Sequence, residues 1–258
     1  MSDGEVRLER RRATAWITFD RPQARNAMTF AMYEALHEHC EAVDADPEVR
    51  AVVLRGAGGK AFVAGTDISE FEAFRTADDG LAYERTIDRI VGRLETVRRP
   101  TVALVDGWAV GGGLALAATC DLRVCTPEAK FGMPIARTLG NCLSMANYAR
   151  LVALIGEGRV KDLVFTARSV AADEAQAIGL ATEVVAADAI EEHVTELCER
   201  LAGHSPITMR ATKEALRRLR AVNLPDGHDI VAEAYGSRDF ADAVAAFGEK
   251  RRHEWRGE

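Results

Sequence analysis

The chain has 258 residues, 48% apolar and 28% charged, enough to bury a sizeable core in one large α/β domain or a domain with a smaller appendage. Its formal net charge of −7 argues against nucleic acid as a partner, since phosphate binding needs clustered excess Lys and Arg, though a local basic patch for a smaller anionic ligand stays compatible with it. No apolar run reaches the length of a membrane span, and Met1 to Arg12 is charged without an apolar signal core, so a cytoplasmic protein with no membrane partner is expected.

Val6 and Leu8 open a weak strand, and Ala15, Ile17 and Phe19 alternate on a second, with Glu9 to Ala13 as the turn between them. Arg21-Pro22-Gln23 breaks the pattern. Thr29 then N-caps a helix whose Tyr33, Leu36, Cys40 and Val43 make one apolar face. Ala51 to Leu54 reads as a buried strand, and Gly56 to Gly59 as a turn. A second helix carries Ile87, Val91, Leu94 and Val97, stopped by Pro100. Thr101 to Val105 is the next strand, followed by a small-residue helix over Leu114 to Thr119 and a strand over Asp121 to Cys125. This alternation predicts a parallel sheet with crossover helices. From Leu143 onward the chain reads as helical, with one short strand at Glu183 to Val185.

The five cysteines are odd in number and form no pair of C-x-x-C motifs, which predicts reduced thiols. Cys120 and Cys125 flank a strand at odd separation and are expected on opposite sides of it. His37-Glu38-His39-Cys40 resembles a metal cluster at first sight. On a helix the two imidazoles point roughly 200° apart, so a solvated face is expected and no metal site. The run Lys250-Arg251-Arg252 reads as a solvated helix end or a contact to phosphates.

Two segments carry the chemical signal: Ala61 to Ile68, containing Gly65-Thr66-Asp67, and Asp106 to Ala115, containing Gly111-Gly112-Gly113. In each, an apolar stretch runs into glycine and then a helix start. Glycine allows close ligand approach, and the first turn of a helix holds N–H groups without intrahelical partners, in positive potential. Two such segments facing one point would form an oxyanion hole. Either segment alone is better explained by tight strand-to-helix packing. Lys60 followed by Ala61 is not a P-loop, and Gly111 to Leu116 does not fit the dinucleotide fingerprint.

With Arg21-Pro22-Gln23-Ala24-Arg25-Asn26-Ala27-Met28, these segments resemble the enoyl-CoA hydratase/isomerase (crotonase) superfamily. The similarity continues through Phe131-Gly132-Met133-Pro134, Ala172 to Val185 and Ser205-Pro206. The resemblance implies an α/β spiral of ββα units over residues 1–200 and a helical segment over 201–258 that packs in a homotrimer or a dimer of trimers. It implies an acyl-CoA thioester as ligand, with coenzyme A as part of the substrate and no separate cofactor. Backbone donors would come from Thr66 and Gly112. Ala24, Ala64, Asp67 and Ile68 would border the CoA moiety.

The chain departs from that family where hydratases carry two glutamates around a water. Ala115 and Ile135 occupy those positions, and Ser144 or Met145 stands where some isomerases hold an acid. Alanine and isoleucine move no protons. The polar residues nearby are Arg137, Thr138, Asn141, Cys142 and Ser144. Arg137 is a candidate for an acyl carboxylate or a structural ion pair, and Cys142 for a nucleophile or a small buried hydrophobe. Asp67 and Glu70 read as caps or exposed charges. The expected activity is enolate stabilisation in a thioester without the glutamate pair. The alternatives are a non-catalytic acyl-CoA-binding protein, or an isomerase or hydrolase for an unusual acyl group.

Overall fold

The computed structural model describes residues 4–258, so the first three residues of the segment assigned to 1–200 lie outside it. Strands β1 (Glu5–Arg11) and β2 (Thr14–Asp20) form an antiparallel hairpin paired from Glu5↔Asp20 to Arg11↔Thr14. The turn is therefore Arg12-Ala13 rather than Glu9 to Ala13. Arg12 sits at φ 53, a conformation that matches a two-residue turn to the strand twist and lets residues 9–11 stay in the ladder. Ala15, Ile17 and Phe19 face one core layer, while Trp16 faces another, with the Arg11 and Arg55 guanidinium groups over its ring.

Helix α1 (Phe30–Ala45) starts at Thr29, whose hydroxyl accepts from the Met32 N–H, and buries Tyr33, Leu36, Cys40 and Val43 as predicted. His39 binds the Val6 carbonyl and His37 sits beside Glu41, both half-buried. That part of the helix is thus a seam against β1 rather than a fully solvated face.

Three ββα turns follow. They are β3 (Ala51–Gly56), β4 (Ala61–Val63) and α2 (Ala77–Glu95); then β5 (Thr101–Val105), β6 (Trp108–Val110) and α3 (Gly112–Thr119); then β7 (Leu122–Cys125), β8 (Lys130–Gly132) and α4 (Ile135–Thr138). Each turn gives its first strand to a large sheet and its second to a small one. Beyond them lie α5 (Met145–Ile155), α6 (Glu157–Phe165), β9 (Ser169–Ala171), α7 (Ala172–Ala177) and β10 (Glu183–Val184). The large sheet runs β1-β2-β3-β5-β7-β10, parallel from β2 onward, and the small one β4-β6-β8-β9. The α/β spiral is as expected. The small sheet leaves no trace in the residue pattern, because its strands are three residues long, too short to show a period.

Two further details differ. Val97 lies past the end of α2, which is capped at Thr96, yet is buried all the same. Cys120 precedes β7 as the residue after α3, and both it and Cys125 join one core layer. Cys120 lies outside the strand Leu122–Cys125, so strand alternation does not separate them.

The C-terminal helices are α8 (Ile190–Ala202), α9 (Pro206–Ala221), α10 (His228–Gly236) and α11 (Arg238–Gly248). Helix α8 covers the outer face of the large sheet, placing Ile190, Val194 and Leu197 against Trp16, Val53 and Val102. Helix α10 returns to α2 and α11 to the 3-10 turn Ile68–Phe71, and together they close an aromatic cluster of Phe71, Phe74, Tyr83, Tyr235 and Phe240. Helix α9 buries no residue and leaves Ile207, Leu216 and Leu219 exposed, with Val222 exposed at its C-cap. Among the described residues no helix is long and apolar enough to cross a membrane.

Candidate active site

The loop between β2 and α1 is organised by Asn26, which is fully buried at φ 58. Its side-chain amide donates to the Ala57 and Ala61 carbonyls, and its Oδ1 accepts from the Arg21 N–H. Arg21 reaches onward, its Nη1 donating to the Ala27 carbonyl at 3.2 Å and to Asp67 Oδ2 at 2.5 Å. The R-P-x-x-x-N-A stretch thereby fixes the segment after β4.

That segment holds Thr66. Its neighbours are tied to Met28 on both sides: the Met28 N–H donates to the Gly65 carbonyl and the Asp67 N–H to the Met28 carbonyl, each at 2.8 Å. The Thr66 N–H donates to nothing among the described residues. Thr66 precedes a short 3-10 turn, Ile68–Phe71, capped by Asp67, so it stands two residues ahead of a helix start rather than in its first turn. The second donor does open a helix. Gly111, at φ 55, turns the chain from β6 into α3, and the Gly112 N–H is the first of that helix, also without an acceptor among the described residues. The two meet closely: a Cβ built on Gly112 would lie 3.7 Å from the Thr66 nitrogen and would run into the Tyr33 hydroxyl.

Both donors border a mainly apolar cavity of about 160 Å³. The structure brings Ala64, Thr66, Ile68, Gly112, Ala115 and Ile135 together on its wall. Ala24 lies in a 3-10 turn outside the lining, and Asp67 faces Arg21 and Ser69 instead. Arg137 is exposed on α4 outside the lining, and its guanidinium forms no ion pair among the described residues. Glu70 accepts from the Phe30 N–H. Ser144 caps α5 and donates to Asp88 Oδ1 at 2.6 Å. Thr138, Asn141 and Cys142 line the cavity. Burial pushes the Cys142 thiol up to about 12, so it is protonated at neutral pH and a poor nucleophile.

Sequence reading missed the polar part of this wall. Tyr33 and Tyr83 place their hydroxyls 3.0 and 2.8 Å from Thr66 Oγ1. Next to Tyr83, Glu84 is only 7% exposed, and the Tyr235 hydroxyl donates to its Oε1 at 2.6 Å. The Tyr235 oxygen in turn accepts from Asn141 Nδ2 at 3.1 Å. Burial, outweighing the Tyr235 hydrogen bond, raises the Glu84 carboxyl to about 7. The signal was present: the apolar spacing of Ile87, Val91 and Leu94, carried back one turn, lands on Glu84. A larger cleft under α9 holds Arg150, Lys213 and Arg220, but these are paired with Glu95 and Asp121.

A family model described as enoyl-CoA hydratase/isomerase matches residues 9–258. The short-chain-enoyl-CoA hydratase of Clostridium acetobutylicum is 34% identical over 258 residues, 98% of each chain. Among solved structures, an enoyl-CoA hydratase/carnithine racemase from Magnetospirillum magneticum is 32% identical with a TM-score of 0.80, covering 98% of this chain and 96% of that one. A methylmalonyl-CoA decarboxylase complexed with 2S-carboxypropyl CoA is 25% identical with a TM-score of 0.90 over the full length of both chains.

Proposed function

Since the chain belongs to the enoyl-CoA hydratase/isomerase family, we propose that it is an enzyme acting on an acyl-CoA thioester whose enolate it stabilises with the Thr66 and Gly112 backbone N–H groups. The observation that carries this reading is the pair of unaccepted N–H donors bordering one apolar cavity. A thioester oxygen gains negative charge as an enolate forms, and fixed donors stabilise that charge without reorganising. Ala64 and Ile68 flank the donors as borders of the CoA moiety, with Ala24 and Asp67 supporting that edge. Arg137, exposed on α4, is the candidate for a carboxylate at the far end of an acyl group. Coenzyme A enters as part of the substrate, and no metal or separate cofactor is required.

Ala115 and Ile135, at the family's glutamate positions, predict weak hydration of crotonyl-CoA. Each lost acid or base costs about 10²–10⁴-fold. The test is the steady-state loss of the conjugated enoyl-thioester absorbance, and turnover comparable to a typical hydratase would refute the expectation of weak hydration.

The likeness to methylmalonyl-CoA decarboxylase favours a second reading. Loss of CO₂ from an acyl group carboxylated beside the thioester leaves an enolate without any base, so the same two donors would serve it. Release of CO₂ from methylmalonyl-CoA separates this from proton abstraction.

The exposed apolar residues of α9 support assembly through the helical segment 201–258, as a homotrimer or dimer of trimers. Light scattering at micromolar concentration tests this, and a stable monomer would overturn it.

A further inference from the structure

Helix α2 presents Gly80, Glu84, Ile87, Val91 and Leu94 to the interior. Glu84 is the one acid in that stripe. Among the described residues it forms no ion pair; its partners are the Tyr235 hydroxyl and the Ser144 backbone N–H. The Asn141 amide donates to the Tyr235 oxygen, which commits the phenolic proton to Glu84. A buried carboxyl without a cation weakens a fold, and a packing role at this position would be met by glutamine or leucine. The carboxyl also borders two spaces. One is the cavity holding the Thr66 and Gly112 donors. The other is a cleft of about 170 Å³ lined by Asp88, Ser144 and His228.

We propose that Glu84 is the proton-transfer group of the site, replacing the carboxylates absent at Ala115 and Ile135. This rests on the reading that a thioester oxygen sits on the two backbone donors. The Glu84 carboxylate takes a proton from the carbon beside the thioester carbonyl. The C–H electron pair becomes the carbon–carbon π bond of the enolate, and the carbonyl π pair moves onto oxygen, facing Thr66 and Gly112. The proton then rests on Glu84. Its return to the same carbon exchanges or inverts that centre; its return two carbons further along a conjugated anion shifts a double bond. Neither step consumes a co-reactant. The second cleft gives the held proton a route to solvent past Asp88 and Ser144.

The groups that face Glu84 from the inner cavity and from α10 titrate well above the neutral range. Burial pushes Tyr33 up to about 12, Cys142 likewise, and Tyr83 and Tyr235 well above their ordinary values. Asp88, one turn along α2, is also raised by burial, with Arg150 opposing, and its charge helps raise Glu84. Arg85 and His228 border only the outer cleft. A carboxyl near 7 has both forms populated at neutral pH, which suits an acid–base that must give back what it takes.

The experiment follows deuterium uptake beside the carbonyl of butyryl-CoA in heavy water by mass spectrometry, with calorimetric titration of the same ligand. Wild-type protein is expected to exchange, with a rate inflection near pH 7. Glu84→Gln should bind butyryl-CoA but exchange about 10²–10⁴-fold more slowly. Tyr235→Phe should move the inflection upward, because the lost hydrogen bond favours the ionised form. Exchange by Glu84→Gln at the wild-type rate, or wild-type binding without exchange, overturns the proposal. Absence of binding to wild-type protein overturns the acyl-CoA reading beneath it.

Discussion

Thr66 Oγ1 lies 2.8 Å from the Tyr83 hydroxyl, so α2 holds the residue whose backbone N–H faces the cavity. Thr66→Ser keeps this contact and should leave turnover nearly unchanged. Thr66→Val loses it, and Thr66→Pro removes the N–H itself. Loss of one such donor costs about 10²–10³-fold in kcat. Steady-state kinetics on a responsive acyl-CoA checks the order Ser, Val, Pro.

On the proposed reading Gly112 supplies space as well as a donor. An added Cβ would collide with the Tyr33 hydroxyl, so Gly112→Ala should lower turnover at least tenfold, roughly the loss from a displaced catalytic contact. Tyr33→Phe in the same chain removes the obstructing oxygen and should recover part of it. A double variant no better than the single would contradict this geometry.

Glu84 makes stability depend on pH in a defined direction. Its folded value, about 7, lies above the ordinary 4.5, because burial disfavours the ionised form. The stabilisation of the neutral acid is complete below 4.5 and lost as pH rises through 7, amounting to about 3 kcal/mol. Urea denaturation of wild type and Glu84→Gln should therefore show the variant gaining relative stability from pH 5 to 8.5. A gap independent of pH would contradict the burial of an ionisable carboxyl here.

Asp67 works in the opposite sense. Burial raises its carboxyl, but the hydrogen bonds from Ser69 and Arg21 together outweigh it and hold it below the ordinary 3.8. Its contribution is present above that value and lost as pH falls through the folded one. Asp67→Asn should cost about 1–2 kcal/mol and weaken acyl-CoA binding by loosening the segment that carries Thr66. Denaturation midpoints and calorimetry at neutral pH test both effects.

The parts of the fold legible in sequence were those with a period or a cap. Thr29 and the stripe Tyr33, Leu36, Cys40 and Val43 marked α1 directly, and Ala51 and Thr101 opened runs that became central strands. Strands such as Ala61–Val63 are too short to carry a period, and they are set by the sheet that receives them. At the site, glycines betrayed the backbone donors because close approach leaves a compositional trace. Tyr235 reaches Glu84 from 151 positions away, a contact that only α10 folding back on α2 creates. Glu84 itself was hidden by the habit of assigning charge to the solvent side of a helix.

The most direct test is the vibrational frequency of the thioester carbonyl in bound butyryl-CoA carrying ¹³C at that carbon, read by infrared difference spectroscopy. Two backbone N–H groups aimed at the oxygen should polarise the bond, moving its stretch below the value in water and leaving Thr66→Pro with a smaller displacement. A bound carbonyl at its aqueous frequency, equal in wild type and Thr66→Pro, would contradict the assignment of Thr66 and Gly112 as the groups that stabilise the enolate.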